Sequence, residues 1–370
     1  MSGQANNNWR ILHLTGCLSG GGAETILRAL CREQSQAGHA VTIVYLHEGP
    51  GSAAASRELR QIGCGIFKFP HTLFFRPKAL LTALKNAQLI QTHLINTEFY
   101  GFLLKLLFRK KWIATRYLPQ ITRWRRRWVH RLSLRHANMI ICISHCVKDF
   151  VSARRPDIRH KCHVVYPGLT LDDLKKRLTG MDIKRYHHIA TPYYALIPAR
   201  LVQQKNLDVL LNAIRRVVQD INDWTFVFAG TGPLRLTMER FVQHHRLDSK
   251  IIFIGFRENI YDYISQADAV ILPSAYEGFG MAVLEALLFA KPVIASDIAA
   301  IREILGETNL RVAAQNPQAL AQALRQMTEP SIRRSLAAKS RPRAEYFTAQ
   351  RMHEQTEQIY EQILTTRRPC

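Results

Sequence analysis

The stretch that decides the fold is "ADAVILPSAYEGFGMAVLEALLFAKPVIASD", residues 267–297. It opens on the apolar run "AVIL", closes on "PVIAS", and holds the helical run "MAVLEALLFA" between them. Strand, helix and strand in that order read as one βαβ unit, with its strands parallel in a common sheet. Glycines at 278 and 280 suit the turn from the first strand into the helix.

The same alternation continues outward. "YYALIPAR", "WTFVFAG" and "KIIFIGF" precede helical periodicity and predict a parallel α/β domain over residues 195–345. From Arg10 a second series, "RILHLT", "AVTIVYL", "LIQTHL", "WIATR" and "MIICIS", predicts another over residues 1–168. Between them the polar stretch that carries Pro167, Gly168 and Gly180 reads as a linker, residues 169–194. The tail is helical with sparse apolar positions, so residues 346–370 are expected to form a helix packing across both domains. A chain of 370 residues with 47% apolar composition has material for two cores.

Charge is distributed unevenly. The formal net charge is +23, and the segment from Phe99 to Lys148 holds twelve Lys or Arg with no Asp or Glu. Within it, Arg123, Arg127, Arg131 and Arg135 are four apart and form one row on a helix. Beside the row run Ile121, Trp124, Trp128 and Leu132, a stripe that fits either a core contact or a membrane interface. A single-sign row asks for a negative partner. No RNP, zinc-finger or helix-turn-helix pattern accompanies it, which disfavours nucleic acid and favours anionic lipid.

The seven cysteines are odd in number, scattered and without a CxxC pair, which fits a reducing cytoplasm better than a disulfide framework. The N-terminus lacks the pattern of a secretory signal. The longest approach to a membrane span, "YGFLLKLLF", is short and interrupted by Lys105. A soluble or peripheral protein is expected.

Three loops carry candidate chemistry. Gly20, Gly21 and Gly22 lie between a strand and a helix, where backbone amides and the helix N-terminus suit an anion or phosphate. The loop matches neither G-x-G-x-x-G nor a Walker A sequence. Arg200 and Lys205 follow a strand end in the second series and suit a diphosphate. Glu277 and Glu285 stand eight apart across a turn; Glu285 would sit about one turn inside the helix, able to accept from ribose hydroxyls, while the amides of Gly280, Met281 and Ala282 face a phosphate.

Taken together, "GGAE", the Arg200/Lys205 pair, "GTGPL" at 230–234, "FIGFRENIYDYISQADAVILPS", "EGFGMAVLE" and "VIASDIAAIREIL" resemble the retaining nucleotide-sugar glycosyltransferases of family 4, including those of bacterial lipopolysaccharide core and lipid-linked glycans. The resemblance runs from about Ile11 to Leu364. It implies the α/β GT-B fold: two Rossmann-like parallel-sheet domains facing across a cleft, with a C-terminal helix crossing back. It implies a nucleotide diphosphate-sugar donor held mostly by the second domain, through Arg200, Lys205, Arg257, Glu277, Phe279, Gly280, Met281, Ala282 and Glu285, with Gly21 and Gly22 closing on the phosphates. Arg200, Lys205 and Glu277 would act at the reacting centre. The chain has no D-x-D sequence, so no metal and no cofactor is expected.

The departure from the family pattern lies in the first domain. Where many relatives carry a histidine after the "WIATRYL" strand, this chain offers Arg116 or Tyr117, depending on alignment. His93 in "QTHLIN" is a further catalytic candidate, with a structural role as its alternative. The expected function is transfer of a sugar to a membrane-associated glycan or glycolipid on the cytoplasmic face of the inner membrane, with Arg123, Arg127, Arg131 and Arg135 as membrane contacts. Alternatives of the same fold are a nucleotide-sugar epimerase, a soluble-acceptor transferase and a catalytically silent adaptor.

Overall fold

A computed structural model describes residues 8–18, 21–49, 51–69, 78–119 and 133–365. The chain divides into two compact units, Met1–Gly168 with Ala349–Cys370, and Leu169–Thr348. Each is a doubly wound α/β unit, as the family resemblance implies.

The first unit holds seven parallel strands: β1 (Arg10–Cys17), β2 (Ala40–His47), β3 (Gly65–Lys68), β4 (Leu89–His93), β5 (Lys111–Arg116), β6 (Met139–Cys142) and β7 (Cys162–Val164). Their order is β3-β2-β1-β4-β5-β6-β7. Every residue of β4 is buried, as a central strand covered on both faces requires. Helix Ala349–Thr365 belongs to this unit, packs on helix Gly22–Gln36 and buries Met352, Ile359, Tyr360 and Ile363. The tail expected to lie across both domains therefore divides, with residues 346–348 in the second unit.

The second unit holds β8 (Tyr193–Pro198), β9 (Trp224–Ala229), β10 (Ile251–Gly255), β11 (Ala269–Leu272), β12 (Val293–Ser296) and β13 (Leu310–Val312), in the order β10-β9-β8-β11-β12-β13, all parallel. Its core includes Ile197, Leu207, Leu211, Ile214, Phe226, Phe228 and Ile271. The opening stretch supplies β11, helix Met281–Leu288 and β12.

Residues 169–194, expected as a linker, are part of the second unit. Asp262 fastens them: its carboxylate accepts from the amides of Thr179 and Gly180 at 2.9 and 3.1 Å and from the Thr179 hydroxyl at 2.7 Å. Leu174 and Ile183 are buried beneath. A short polar segment can dock in this way when its few apolar residues and its backbone donors both find partners.

In both sheets the strand order reverses direction beside the first strand, between β1 and β4 and between β8 and β11. Ligands of open α/β sheets bind outside the carboxyl ends of the strands at such switch points. Gly21 and His93 lie at the first of these places, and Arg200, Lys205 and Glu277 at the second.

Candidate active site

The second switch point is formed by the loops after β8 and β11. After β8 the chain runs through exposed Arg200 to a 3-10 turn, Gln203–Lys205, and then into helix Leu207–Val217. Gln204 ties this turn to the loop after β11, its carbonyl accepting from the Ala275 amide at 2.8 Å and its side chain donating to the Tyr276 carbonyl at 2.9 Å. Lys205 is thereby held against Glu277, and their ammonium and carboxylate form an ion pair. The Ser274 hydroxyl donates to the same carboxylate oxygen at 2.7 Å. Glu277 is 8% exposed, so the pair and the hydroxyl fix it in one orientation with little water around it.

Two glycines position the Arg200 loop. A Cβ at Gly230 would lie 2.0 Å from the Ala199 carbonyl oxygen, and one at Gly232 would lie 2.3 Å from that of Leu201. The loop after β9 therefore presses directly on the Ala199–Leu201 backbone, and Leu201 donates its amide to the Thr231 carbonyl at 2.9 Å. That contact gives "GTGPL" its physical reason, which the sequence alone left unexplained.

Gly280 precedes helix Met281–Leu288 with φ of 101°, a conformation that a side chain would strain. Its carbonyl accepts the Val283 and Leu284 amides, so the Met281 and Ala282 amides at the helix start remain for other acceptors. Phe279 is 1% exposed and stacks edge-on against Phe347, anchoring the loop in the core. Glu285, in the second turn, accepts from the Tyr261 hydroxyl at 3.2 Å, and Arg177 lies over the Tyr261 ring at 5.0 Å. Arg257 follows β10; its Nε is buried without a hydrogen-bond partner, and its charge, after burial, lowers the pKa of His187. Ser274, Tyr261 and Arg177 were not identified from sequence, because each acts through a partner distant along the chain.

At the first switch point, Gly21 precedes helix Gly22–Gln36 and both glycines are exposed. A Cβ at Gly21 would lie 2.4 Å from a carboxylate oxygen of Glu24. His93, at the end of β4, is 1% exposed and belongs to a buried hydrogen-bond chain. Tyr117 meets His93 Nδ1 at 2.7 Å, His93 Nε2 meets His13 Nδ1 at 2.9 Å, and His13 Nε2 meets the Gln34 carbonyl oxygen at 2.8 Å. Gln34 donates to Tyr360 at 3.0 Å, Tyr360 donates to Gln91, and Gln91 donates to Thr115 at 2.8 Å. Since Gln34 offers an acceptor, the proton of His13 is on Nε2, and each link then donates in the same direction, starting from the Tyr117 hydroxyl. Burial lowers the pKa of His13 to about 4 and that of His93 well below its ordinary value.

Arg116 is buried at the end of β5, where it binds Glu98 at 2.5 Å. Both residues considered as replacements for the family histidine, Arg116 and Tyr117, are therefore already engaged inside the first unit. Arg123, Arg127 and Arg131 lie outside the described residues; Arg135 is described and exposed.

Among the described residues, His39, His353 and Glu357 bring three potential metal-ligand atoms within 4.8 Å of one another. Nδ1 of His39 accepts from the Trp9 amide at 3.3 Å, so its proton is on Nε2 and is directed at Glu357, 2.7 Å away. That tautomer has no Nε2 lone pair to offer a metal.

Comparison with known proteins assigns these units. Residues 20–173 match the family described as Glycosyltransferase Family 4, and residues 192–329 match Glycosyl transferases group 1. A GDP-mannose-dependent alpha-(1-6)-phosphatidylinositol dimannoside mannosyltransferase of Mycobacterium tuberculosis is 32% identical over 188 residues, covering 46% of this chain and 48% of that protein. An N-acetylgalactosaminyltransferase of Campylobacter jejuni, whose name specifies an undecaprenol-diphosphate-linked acceptor, is 27% identical over 192 residues, covering 50% of each chain. The matches thus span about half the length of these curated relatives. Anabaena HepE, solved in complex with UDP and glucose, superposes with a TM-score of 0.81 at 18% identity over 95% of this chain and 99% of that one. Residues 20–173 and 192–329 are thus similar to these two glycosyltransferase families, and the two parallel α/β sheets give the chain the GT-B fold.

Proposed function

We propose that the protein transfers a sugar from a nucleotide diphosphate-sugar to a glycan or glycolipid acceptor carried on a membrane lipid, with retention of configuration and without a metal. The observation that carries the proposal is the fixed Lys205–Glu277–Ser274 cluster beside the free amides of helix Met281–Leu288. A preorganised cation and helix N-terminus are what a departing diphosphate needs, because charge builds on its bridging oxygen as the glycosidic bond breaks. Arg200, exposed at the same strand end, would add a second cation. Glu277, oriented by two donors, is suited to hydroxyls of the transferred sugar, and Glu285 to those of the ribose. Gly21 and Gly22 would offer amides to the phosphates, and the backbone around Arg257 would meet the base.

A lipid-linked acceptor is supported by the acceptors in the names of the mycobacterial and Campylobacter relatives and by the acid-free basic segment of the first unit. Lipopolysaccharide core and polyprenyl-diphosphate-linked oligosaccharide are the acceptor classes proposed.

The test begins with thermal stabilisation of the full chain by UDP and GDP and continues with turnover of the matching nucleotide sugars with EDTA present. Activity should survive the chelator, and Glu285→Ala should weaken binding of the nucleoside diphosphate by about 1.5 to 3 kcal/mol, as for hydrogen bonds to a charged group. An absolute requirement for Mg²⁺ or Mn²⁺, or unchanged affinity in a folded Glu285→Ala variant, would contradict the assignment.

A further inference from the structure

Helix Ile95–Phe108 turns an apolar face outward. An ordinary surface helix turns apolar residues inward and polar ones to water. Here Phe99, Leu103, Leu106 and Leu107 are 39, 36, 57 and 68% exposed, and they lie at positions i, i+4, i+7 and i+8, on one face. Nine large apolar side chains are exposed among the described residues, and four of them are on this helix. The helix cannot roll to hide them, because its inner face is already committed. Glu98 is held there by Arg116, and a Cβ at Gly101 would lie 2.5 Å from both Thr92 and Trp112 side-chain atoms.

Cations surround the C-terminal end of this face. The helix stops at exposed Arg109, followed by Lys110 and Lys111. Lys105 donates to the His136 carbonyl at 2.5 Å and to Asn138 at 3.1 Å, which brings the turn carrying exposed Arg135 and His136 alongside. Lys161 closes the cluster by donating to the carbonyls of Arg135 and Ala137 at 2.9 and 3.0 Å. Burial, and then the charges of Lys161 and Lys111, lower the pKa of Lys105, as expected of crowded cations. Asp157, near Lys161, is already bound through both oxygens by Arg155 at 2.8 and 2.7 Å.

We infer that helix Ile95–Phe108 seats the protein on an anionic lipid bilayer, with Leu103, Leu106 and Leu107 entering the interface while Arg109, Lys111 and Arg135 meet the headgroups. Acyl chains accept leucines and lipid phosphates accept the cations, so one partner satisfies both features. A second copy of this chain seated by twofold symmetry would bring the same cations against themselves. At 14 residues the helix is about 21 Å long, too short to span a bilayer and suited to lying in its surface. This inference deepens the proposed lipid-linked acceptor by giving the surface that meets the lipid, and its test can fail separately.

The experiment is flotation of the full-length protein with phosphatidylcholine vesicles, alone or with phosphatidylglycerol, at low and high salt. The parent should float with the anionic vesicles and retain part of that binding at high salt, because inserted leucines are not screened. Leu106→Glu/Leu107→Glu should lose about tenfold or more in vesicle affinity, and Leu106→Gln/Leu107→Gln should lose less but in the same direction. Both leucines are exposed, so the circular-dichroism melting curves of the variants should match the parent's. Parent and variants floating alike, or a parent dimer that becomes a monomer in the variants, would overturn the inference. Loss of flotation in the variants supports it even if neither UDP nor GDP stabilises the protein, in which case only the donor assignment fails.

Discussion

His13 and His93 occupy the centre of a buried hydrogen-bond chain, and their protonation links that chain to pH. Burial is the main cause that holds both imidazoles neutral, and the His13 value falls from 6.5 to about 4. The unfolded chain therefore takes up a proton at His13 between those values that the folded chain does not. Stability due to the neutral form is complete above pH 6.5 and is lost as the pH falls towards and through about 4. Each imidazole contributes at most about 1.4 kcal/mol per pH unit within its window. Proton NMR titration should find two histidines that do not titrate between pH 7 and pH 5, and two histidines assigned as His13 and His93 titrating near 6.5 would refute the picture. His93 was identifiable as a candidate from its place at a strand end. His13 was not, because its partner lies 80 residues away and the link exists only once β1 and β4 are adjacent.

Elements were legible where the apolar run was long and central. β1, β2, β4, β5 and β6 appear as expected in the first unit, and β8 to β12 in the second. The strands that passed unrecognised, β3, β7 and β13, are edge strands of four, three and three residues. An edge strand buries less, so its sequence carries less of the pattern that marks a strand. "LRV" in β13, for example, is only partly buried throughout. The destination of the C-terminal helix was likewise hidden, because its polar partners lie more than 260 residues away along the chain. Tyr360 receives from Gln34 and donates to Gln91, joining the helix to helix Gly22–Gln36 and to β4. Tyr360→Phe would leave the Gln34 amide and the Gln91 carbonyl unpaired in positions that are 0 and 1% exposed. We expect a loss of about 2 to 6 kcal/mol, the sum of two unsatisfied buried groups, read by urea denaturation. A change within about 0.5 kcal/mol would mean that the Tyr360 hydroxyl contributes little to holding the helix.

For the molecule as a whole, the charge is its strongest signal and also the least assignable from sequence. Twelve of its 51 Lys and Arg fall in the fifty residues from Phe99 to Lys148, where there is no acid. Part of that charge proves to be internal: Arg116 is paired with Glu98, and Lys105 is spent on His136 and Asn138. The row Arg123, Arg127, Arg131 and Arg135 supplies one third of the segment's cations, and its long-range attraction should be separable from insertion by helix Ile95–Phe108. At ~1 kcal/mol per basic residue near an anionic surface, four arginines give adhesion that is useful and reversible. Exposed charges are screened over ~8 Å at physiological ionic strength, so their share should fade as salt rises, whereas the leucine share should not. Replacing all four with Gln should therefore reduce co-sedimentation with phosphatidylglycerol vesicles at low salt and leave the high-salt remainder close to the parent's. Leu106→Glu/Leu107→Glu should do the reverse and remove chiefly the salt-resistant part. Neutral vesicles provide the baseline for both. If the four-Gln variant sediments with anionic vesicles as the parent does at low salt, the row serves another partner, and the leucine face is left to account for the membrane affinity.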